Sequence, residues 1–549
     1  VTYLCALAES EAPAESLLAA LQTALEAACE IEKFSLVTSH AYALSQREDE
    51  LLLNPAQSAA AGLALAYAHE AENDSAQIID CDLSEASIEV VAAIVCGKQG
   101  VSLSSGEAGS ARLMVRQGVA YSPYAIPQRA SMASAVGGGQ STDLALFDPD
   151  SVQVVTGGAG GVGLATLEWM AERGARRFVI SGRSSLGAVD RQRFSQAPFS
   201  SCSIEFVACD ITQPDDVKRL AERVAQLGQL ETVIHAAGIR EDSLIESMTT
   251  NSLQAVIATK QGGAKLLEEM LDDLHPKRTL YYASIAGWLG AAGQGNYVAA
   301  NAALDSLATK RSAAGKPTLS IAWGPWQERG MTAQLSKAHQ DRLRDLGYST
   351  LSTASAFETL DKALTNNLTG SVSILAAAIP MLSKLPGGKM FWRKQLNNWA
   401  VKSGNEAAVH ATAPVLTEAL LVNRITGLTT EDSLDALQSH LAQLVSDLAG
   451  SVSKADVDPA VGFFDLGLDS LGALEMRKKL EKDLGTKLKS TLLLDFPTVE
   501  KMAEELLRKI RPDQPALVKA APVAEKVTDV EEDLSHEELV AMLARELES

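Results

Sequence analysis

Short apolar runs that end in small or polar residues recur along the chain as far as about residue 395, separated by stretches of helical period. From Val152 the order is VQVVTGGAGGVG, ATLEWMAERGA, RFVISGRSS, which predicts strand, glycine turn, helix and strand, a βαβ unit. EFVACD, TVIHAAG, LYYASIAG and SIAWGPW continue the series, each a buried strand whose carboxyl end could face a ligand across a doubly wound parallel sheet. Residues 1 to 145 alternate in the same way, with strand patterns at Val1, Phe34, Gln77 and Ala111, but hold no glycine-rich phosphate loop. That half reads as structural. The Ser/Gly/Ala-rich stretch 133–142 marks the boundary.

Beyond 395 the pattern changes to a polar, alanine-rich stretch, followed by helical periodicity from Leu434 to Ile510. The predicted fold class is α/β, with two Rossmann-like subdomains followed by a small all-α helical bundle. The expected divisions are a structural subdomain over 1–145, a catalytic subdomain over 146–395, a linker over 396–432, and the bundle over 433–510. A flexible, proline-containing linker over 511–533 and a terminal helix over 534–549 complete the chain. The last helix has a capping box from Ser535 to Glu538 and an apolar stripe of Leu539, Met542, Leu543 and Leu547. It is too short to stand alone and calls for a partner.

The 549 residues exceed one ordinary core, as the pattern requires. No apolar run is long enough to cross a bilayer, so a soluble chain is expected, and its six cysteines fit a reducing cytoplasm. Val1 is not a methionine and no basic leader precedes it, which reads as a piece of a longer polypeptide. A net charge of -21 argues against nucleic acid or an anionic membrane as partner. Cys5, Cys29, Cys81, Cys96, Cys202 and Cys209 show no metal-binding spacing and read as buried free thiols.

The run Thr156-Gly157-Gly158-Ala159-Gly160-Gly161-Val162-Gly163 contains G-x-G-x-x-G directly after a strand and at the start of a helix. Glycines there allow a tight turn and close approach to a pyrophosphate, whose charge lies against the helix N-terminus. After the next strand, Arg183 and Ser184 stand where an acidic residue would bind a ribose 2′-hydroxyl. A guanidinium pairs with a 2′-phosphate, which points to NADPH. Asp210 is placed for the adenine ring, and Ile211 with Ala236, Ala237 and Gly238 completes the expected cofactor pocket.

Ser284 ends a strand, Tyr297 and Asn301 lie four apart on one helix, and Lys260 supplies a cation. In this order, with HAAG ending at Gly238 and WGPW starting at Trp323, the set resembles the short-chain dehydrogenase/reductase family, and most closely the ketoreductase region of modular polyketide synthases. The resemblance implies that Tyr297 protonates a carbonyl oxygen while hydride arrives and that Ser284 hydrogen-bonds the same oxygen. It further implies that Lys260 lowers the tyrosine pKa and Asn301 holds a proton relay. Lysine and asparagine are exchanged relative to many family members. Arg240-Glu241-Asp242 stands where B-type domains show Leu-Asp-Asp. Asn296 precedes the tyrosine as in those domains. Leu289 occupies the position of the A-type tryptophan, with Trp288 one place earlier, and Ala292 stands where B-type domains often have proline. The resemblance implies a B-type, D-configured hydroxyl.

Ser470, in FFDLGLDSLGALEMRKKL, opens an amphipathic helix where a phosphodiester is favoured by the dipole. It resembles the 4′-phosphopantetheine attachment site of an acyl carrier protein. Asp465, Asp469 and Glu475 surround it with negative charge suited to basic partner surfaces. The implied partners are the carrier-tethered β-ketoacyl substrate, the ketosynthase and acyltransferase of the same synthase, a phosphopantetheinyl transferase, and a downstream subunit met by the C-terminal helix. Two other readings stand beside this one. The first is the matching region of an animal-type or fungal synthase. The second is a non-reducing scaffold for the carrier, against which the intact Tyr297, Ser284, Lys260 and glycine loop count.

Overall fold

The computed structural model describes residues 2–6, 12–26, 33–44, 47–71, 76–95, 112–122, 145–183, 192, 194–328, 343–344, 347–377, 382, 425, 428–449, 453–468, 470–484, 488 and 492–511. The expected connection at 133–142, Ser184, Asp469, nearly all of the 396–432 linker, the 511–533 linker beyond Arg511 and the C-terminal helix lie outside the described residues. Residues 331–346, where the sequence leads one to expect a lid after WGPWQERGM, also lie outside them, apart from Leu343 and Arg344.

The first sheet comprises β1 (Thr2–Ala6), β2 (Lys33–Ser39), β3 (Ala76–Cys81), β4 (Arg112–Arg116) and β5 (Val119–Tyr121), ordered as in the sequence. Pairing is parallel as far as β4, and β5 returns antiparallel. Gln117 and Gly118, both with positive φ, make the two-residue turn between β4 and β5. Among the described strands the order never reverses, so this half has no switch-point crevice for a ligand. Its helices include α1 (Pro13–Glu26) and the alanine-rich α2 (Pro55–Glu70), whose small side chains leave it buried on almost every face, with shorter helices at Arg47–Leu51 and Glu85–Val95.

The second sheet contains β6 (Val152–Thr156), β7 (Arg177–Gly182), β8 (Ser203–Ala208), β9 (Leu230–His235), β10 (Arg278–Ser284), β11 (Thr318–Trp323) and β12 (Gly370–Ile374). They lie in the order β12-β11-β10-β9-β6-β7-β8, all parallel. The chain starts in the middle, winds outward through β7 and β8, then returns to the other side of β6. The strand order therefore reverses between β6 and β9, which is where such a sheet opens a crevice. β6, β9 and β11 are buried along their whole length, as a sheet covered on both faces requires. Helix α3 (Gly161–Glu172) follows β6, and α4 (Gly295–Ala313) follows β10.

Helix α4 lies against α2 of the first half. A Cβ on Gly62 would sit 3.0 Å from Ala299 Cα, Ala302 Cβ and Val298 O. The two helices meet backbone to backbone at that point.

The C-terminal unit holds α5 (Thr430–Ala449), α6 (Ser470–Leu484), the short α7 (Leu492–Asp495) and α8 (Val499–Ile510). Leu437, Leu441, Val445, Phe463, Met476 and Met502 are fully enclosed in its core. Thr498 caps α8 by accepting from Lys501 N at 3.3 Å. Among the described residues no helix is long and apolar enough to cross a membrane.

Gly62→Val should force α2 and α4 apart and lower stability by about 1–3 kcal/mol. A urea titration followed by tryptophan fluorescence reads the fall in midpoint.

Candidate functional site

β6 ends at Thr156, the chain turns at Gly157 with φ +70, and α3 opens at Gly161. The loop is too tight for side chains. A Cβ on Gly157 would lie 2.9 Å from the Ala237 backbone, one on Gly158 2.5 Å from Ile180 Cγ2, and one on Gly163 2.1 Å from Gly157 O. Gly160 and Gly161 are exposed, and α3 has neither a side-chain cap nor an acidic residue in its first turn. Its amide groups are thus presented at the crevice, beside half-buried Val162, and the cradle fits a pyrophosphate.

Thr156 points inward rather than at the loop's open side. Its hydroxyl pairs with His235 Nδ1 at 2.8 Å, and its carbonyl accepts from Ala236 N at 3.2 Å. The glycine loop is thereby tied to the segment Ala236-Ala237-Gly238. Gly238 leaves room for the lysine, since a Cβ there would lie 3.3 Å from Lys260 Cε. Arg183 is exposed just beyond β7. Asp210 accepts from Thr212 N at 3.0 Å and Thr212 Oγ1 at 2.8 Å. Ile211 is buried where a Cβ on Gly263 would come within 2.7 Å of its Cγ1.

At the carboxyl edge of the same sheet, Ser284 closes β10, while Tyr297 and Asn301 occupy successive turns of α4. Lys260 lies in a single π-helical turn, Ala258–Gly262, and is almost fully buried. Its Nζ donates to Tyr282 O at 2.8 Å and sits 5.7 Å from the centre of the Tyr297 ring. Asn301 donates to Tyr297 O at 2.7 Å, and its Oδ1 is buried without a protein partner. An orphan acceptor of this kind suits a water.

Burial dominates the electrostatics. It lowers the Lys260 pKa to about 8, with Asp305 opposing, and raises Asp305 to about 6 despite hydrogen bonds from Ser320 and Trp288. Tyr297 is raised by desolvation, against the pull of Ser284, Asn301 and Arg240. The net direction for the tyrosine is upward, because desolvation outweighs these neighbouring groups.

Asp242 Oδ2 accepts from Arg240 at 2.7 Å and from Gln294 Nε2 at 3.2 Å. Asn296 is buried between the two loops, donating to Glu241 O and accepting from Tyr297 N, both at 2.7 Å. Leu289 is buried beside Ile285 and Tyr348. Trp288 donates its indole N–H to Asp305 at 2.8 Å, so it is held by the core.

Ser470 is the first residue of α6, reached through Gly467 at φ +93 and a return bond from Leu468 N to Phe463 O of 3.0 Å. The structure describes its backbone only. Sequence reasoning missed four side chains of the first half that grip the main chain around the site: Gln22, His69, Glu70 and Arg112. Glu70 is 175 and 223 positions from its partners, and no local pattern carries that signal.

Fold and site together define a nicotinamide-dependent reductase of the short-chain type. Residues 151–328 match the KR domain family, and residues 439–506 match the phosphopantetheine attachment site family. Polyketide synthase GfsB of Streptomyces halstedii is 31% identical over 353 residues, or 64% of this chain. GfsA of the same organism is 32% identical over 378 residues, or 66% of this chain. The chain spans only 6% and 5% of the lengths of these two relatives. Among solved structures, the ketoreductase from the first module of phoslactomycin biosynthesis in Streptomyces sp. HK803 superposes with a TM-score of 0.56 at 26% identity, covering 71% of this chain and 84% of that one. A C2-type ketoreductase from a modular polyketide synthase, at 0.57 and 23% identity over 69% of this chain and 78% of its own, shares the fold. The chain thus holds a ketoreductase domain and a carrier domain of the kind polyketide synthases contain. A KR domain takes NADPH, and the attachment site carries phosphopantetheine covalently.

His235 is fully buried, and burial together with the Lys260 charge lowers its pKa to about 4. Between pH 6.5 and 4 the unfolded chain binds a proton that the folded chain refuses, so stability should fall as pH drops through that window, by about 3 kcal/mol. Urea midpoints at pH 7 and pH 4.5 should show a smaller difference for His235→Gln than for the wild type.

Proposed function

We propose that the chain reduces a β-ketoacyl thioester, carried on the arm at Ser470, to a D-configured β-hydroxyacyl thioester in polyketide extension. Bound NADPH supplies the hydride to the carbonyl carbon. The Tyr297 hydroxyl gives its proton to the carbonyl oxygen, and the Ser284 hydroxyl hydrogen-bonds that oxygen, so the alkoxide never stands unshielded. The tyrosine is a protonated acid at neutral pH, as this direction requires. Asn301 offers a buried acceptor to a water that returns a proton to Tyr297, with the Lys260 ammonium behind it.

The observation that carries this reading is the meeting of Tyr297, Ser284, Lys260 and Asn301 beside the glycine cradle at one sheet edge. Asn296, Asp242 and the absence of tryptophan at Leu289 support the B-type outcome, and the exposed Arg183, with Ser184 after it, supports NADPH over NADH. The working divisions are 1–145, 146–395, 396–432, 433–510, 511–533 and 534–549. Tethering raises the effective concentration of substrate at the reductase. The partners follow from this reading: the ketosynthase and acyltransferase of the same synthase, a phosphopantetheinyl transferase acting on Ser470, and a downstream subunit at the C-terminal helix, all in the cytoplasm.

NADPH consumption with a simple β-ketoacyl thioester should fall about 10²–10⁴-fold in Tyr297→Phe, and chiral chromatography of the wild-type product should give the D-alcohol. NADPH binding without any turnover would favour the scaffold reading or a strict demand for carrier-bound substrate. Arg183→Ala should raise the KM for NADPH by about tenfold while leaving that for NADH unchanged, as steady-state kinetics with each cofactor would show.

A further inference from the structure

We propose that Glu70, on the half of the protein without a cofactor loop, is a positioning residue for the reductase. Its carboxylate clamps together the two loops that lead to Tyr297. This inference rests on the reductase reading and adds a part to it.

Glu70 is the last residue of α2, where the helix dipole disfavours a carboxylate. It reaches across to the second half instead. Oε1 accepts from Gly293 N at 3.0 Å, and Oε2 accepts from Ile245 N at 2.9 Å. The two amides bracket the point where the loops join: Ser243 and Gln294 form a parallel bridge, and Ser243 N donates to Gly293 O at 2.9 Å. From that bridge the linkage runs to the catalytic residue, through Gln294 to Asp242 and through Glu241 O and Asn296 to Tyr297 N.

Ile245 is fully buried on one side of this junction, but the Gly293 side is open. Gly293 has φ +72, and a Cβ there would meet nothing within 4 Å. Hydrogen bonds from the first half hold it. Gln22 donates to Ile245 O at 2.9 Å and Met248 O at 2.8 Å, Arg112 donates to Trp288 O at 2.7 Å, and His69 Nε2 lies 2.7 Å from Leu289 O. Glu70 touches both loops. A carboxylate can accept from two amides at once, each a charge-assisted bond. On the reductase reading Asp242 and Asn296 support the stereochemical outcome, so a clamp on the loops that carry them contributes to its fidelity.

Glu70→Gln is isosteric, but its amide has one acceptor oxygen and turns an NH2 toward the other backbone donor. One of the two bonds must be lost. In the full chain, hydrogen exchange of apo protein should show faster exchange in segments 241–248 and 290–297 of the variant, independent of any turnover. With the β-ketoacyl thioester, the minor alcohol should rise several-fold and KM for the thioester should increase, while the NADPH Kd and Tm stay within error. Glu70→Asp, which keeps the charge, should recover part of the fidelity. Unchanged exchange in both segments would overturn the clamp. Faster exchange with an unchanged alcohol ratio and KM would overturn the positioning role. Loss of NADPH binding or Tm in step with fidelity would reduce Glu70 to a folding residue and overturn it as well. A wild type that shows protected amides but never reduces the thioester would instead bring down the reductase reading, and the positioning role with it.

Discussion

Helix α4 is enclosed on nearly every side, and the site depends on that enclosure. Val298, Ala299, Ala300, Ala303 and Leu304 are buried in succession, with β10 and β11 behind them and α2 in front. Only small residues permit such an approach, and Gly62 with Ala299 and Ala302 supplies them. Tyr297 and Asn301 then inherit their positions from a rigid rod, not from a loop. The first half of the chain, which has no cofactor loop of its own, is what closes the last face of that rod.

Enclosure also sets the chemistry. A site wet enough to solvate Lys260, Asp305 and His235 would leave their pKa values near ordinary, whereas here burial moves all three toward their neutral forms. The lysine keeps its charge near neutral pH with help from Asp305, and the tyrosine remains a protonated acid. The buried Asn301 Oδ1 has no protein partner, which leaves it able to accept from a water.

The carrier unit solves a different problem with a separate core. Its helices enclose leucine, methionine and phenylalanine side chains and bring Ser470 to the start of α6 after a glycine in the left-handed region. An attachment point must be reached by several catalytic partners in turn, so a helix start beyond a tight loop is a better address than a cleft.

Much of the fold and site is encoded locally. The apolar runs VQVVT and TVIHAAG, the glycines from Gly157 to Gly163, and the four-residue step from Tyr297 to Asn301 are short-range features of the chain, and they are enough to mark β6, β9, the cradle and one face of α4. The four catalytic candidates and Ser470 are legible for the same reason: each sits in a motif whose spacing is itself the signal. Tertiary structure decided what depends on residues far apart. β12 joins the sheet because β11 offers it an edge, not because GSVSI reads strongly as a strand. Lys260 becomes a buried cation, and Trp288 a hydrogen-bond donor to Asp305, only once helices pack over them. The hold of Gln22, Arg112 and Glu70 on distant backbone amides and carbonyls has no trace in sequence, since a main-chain group carries no side-chain identity for a pattern to read.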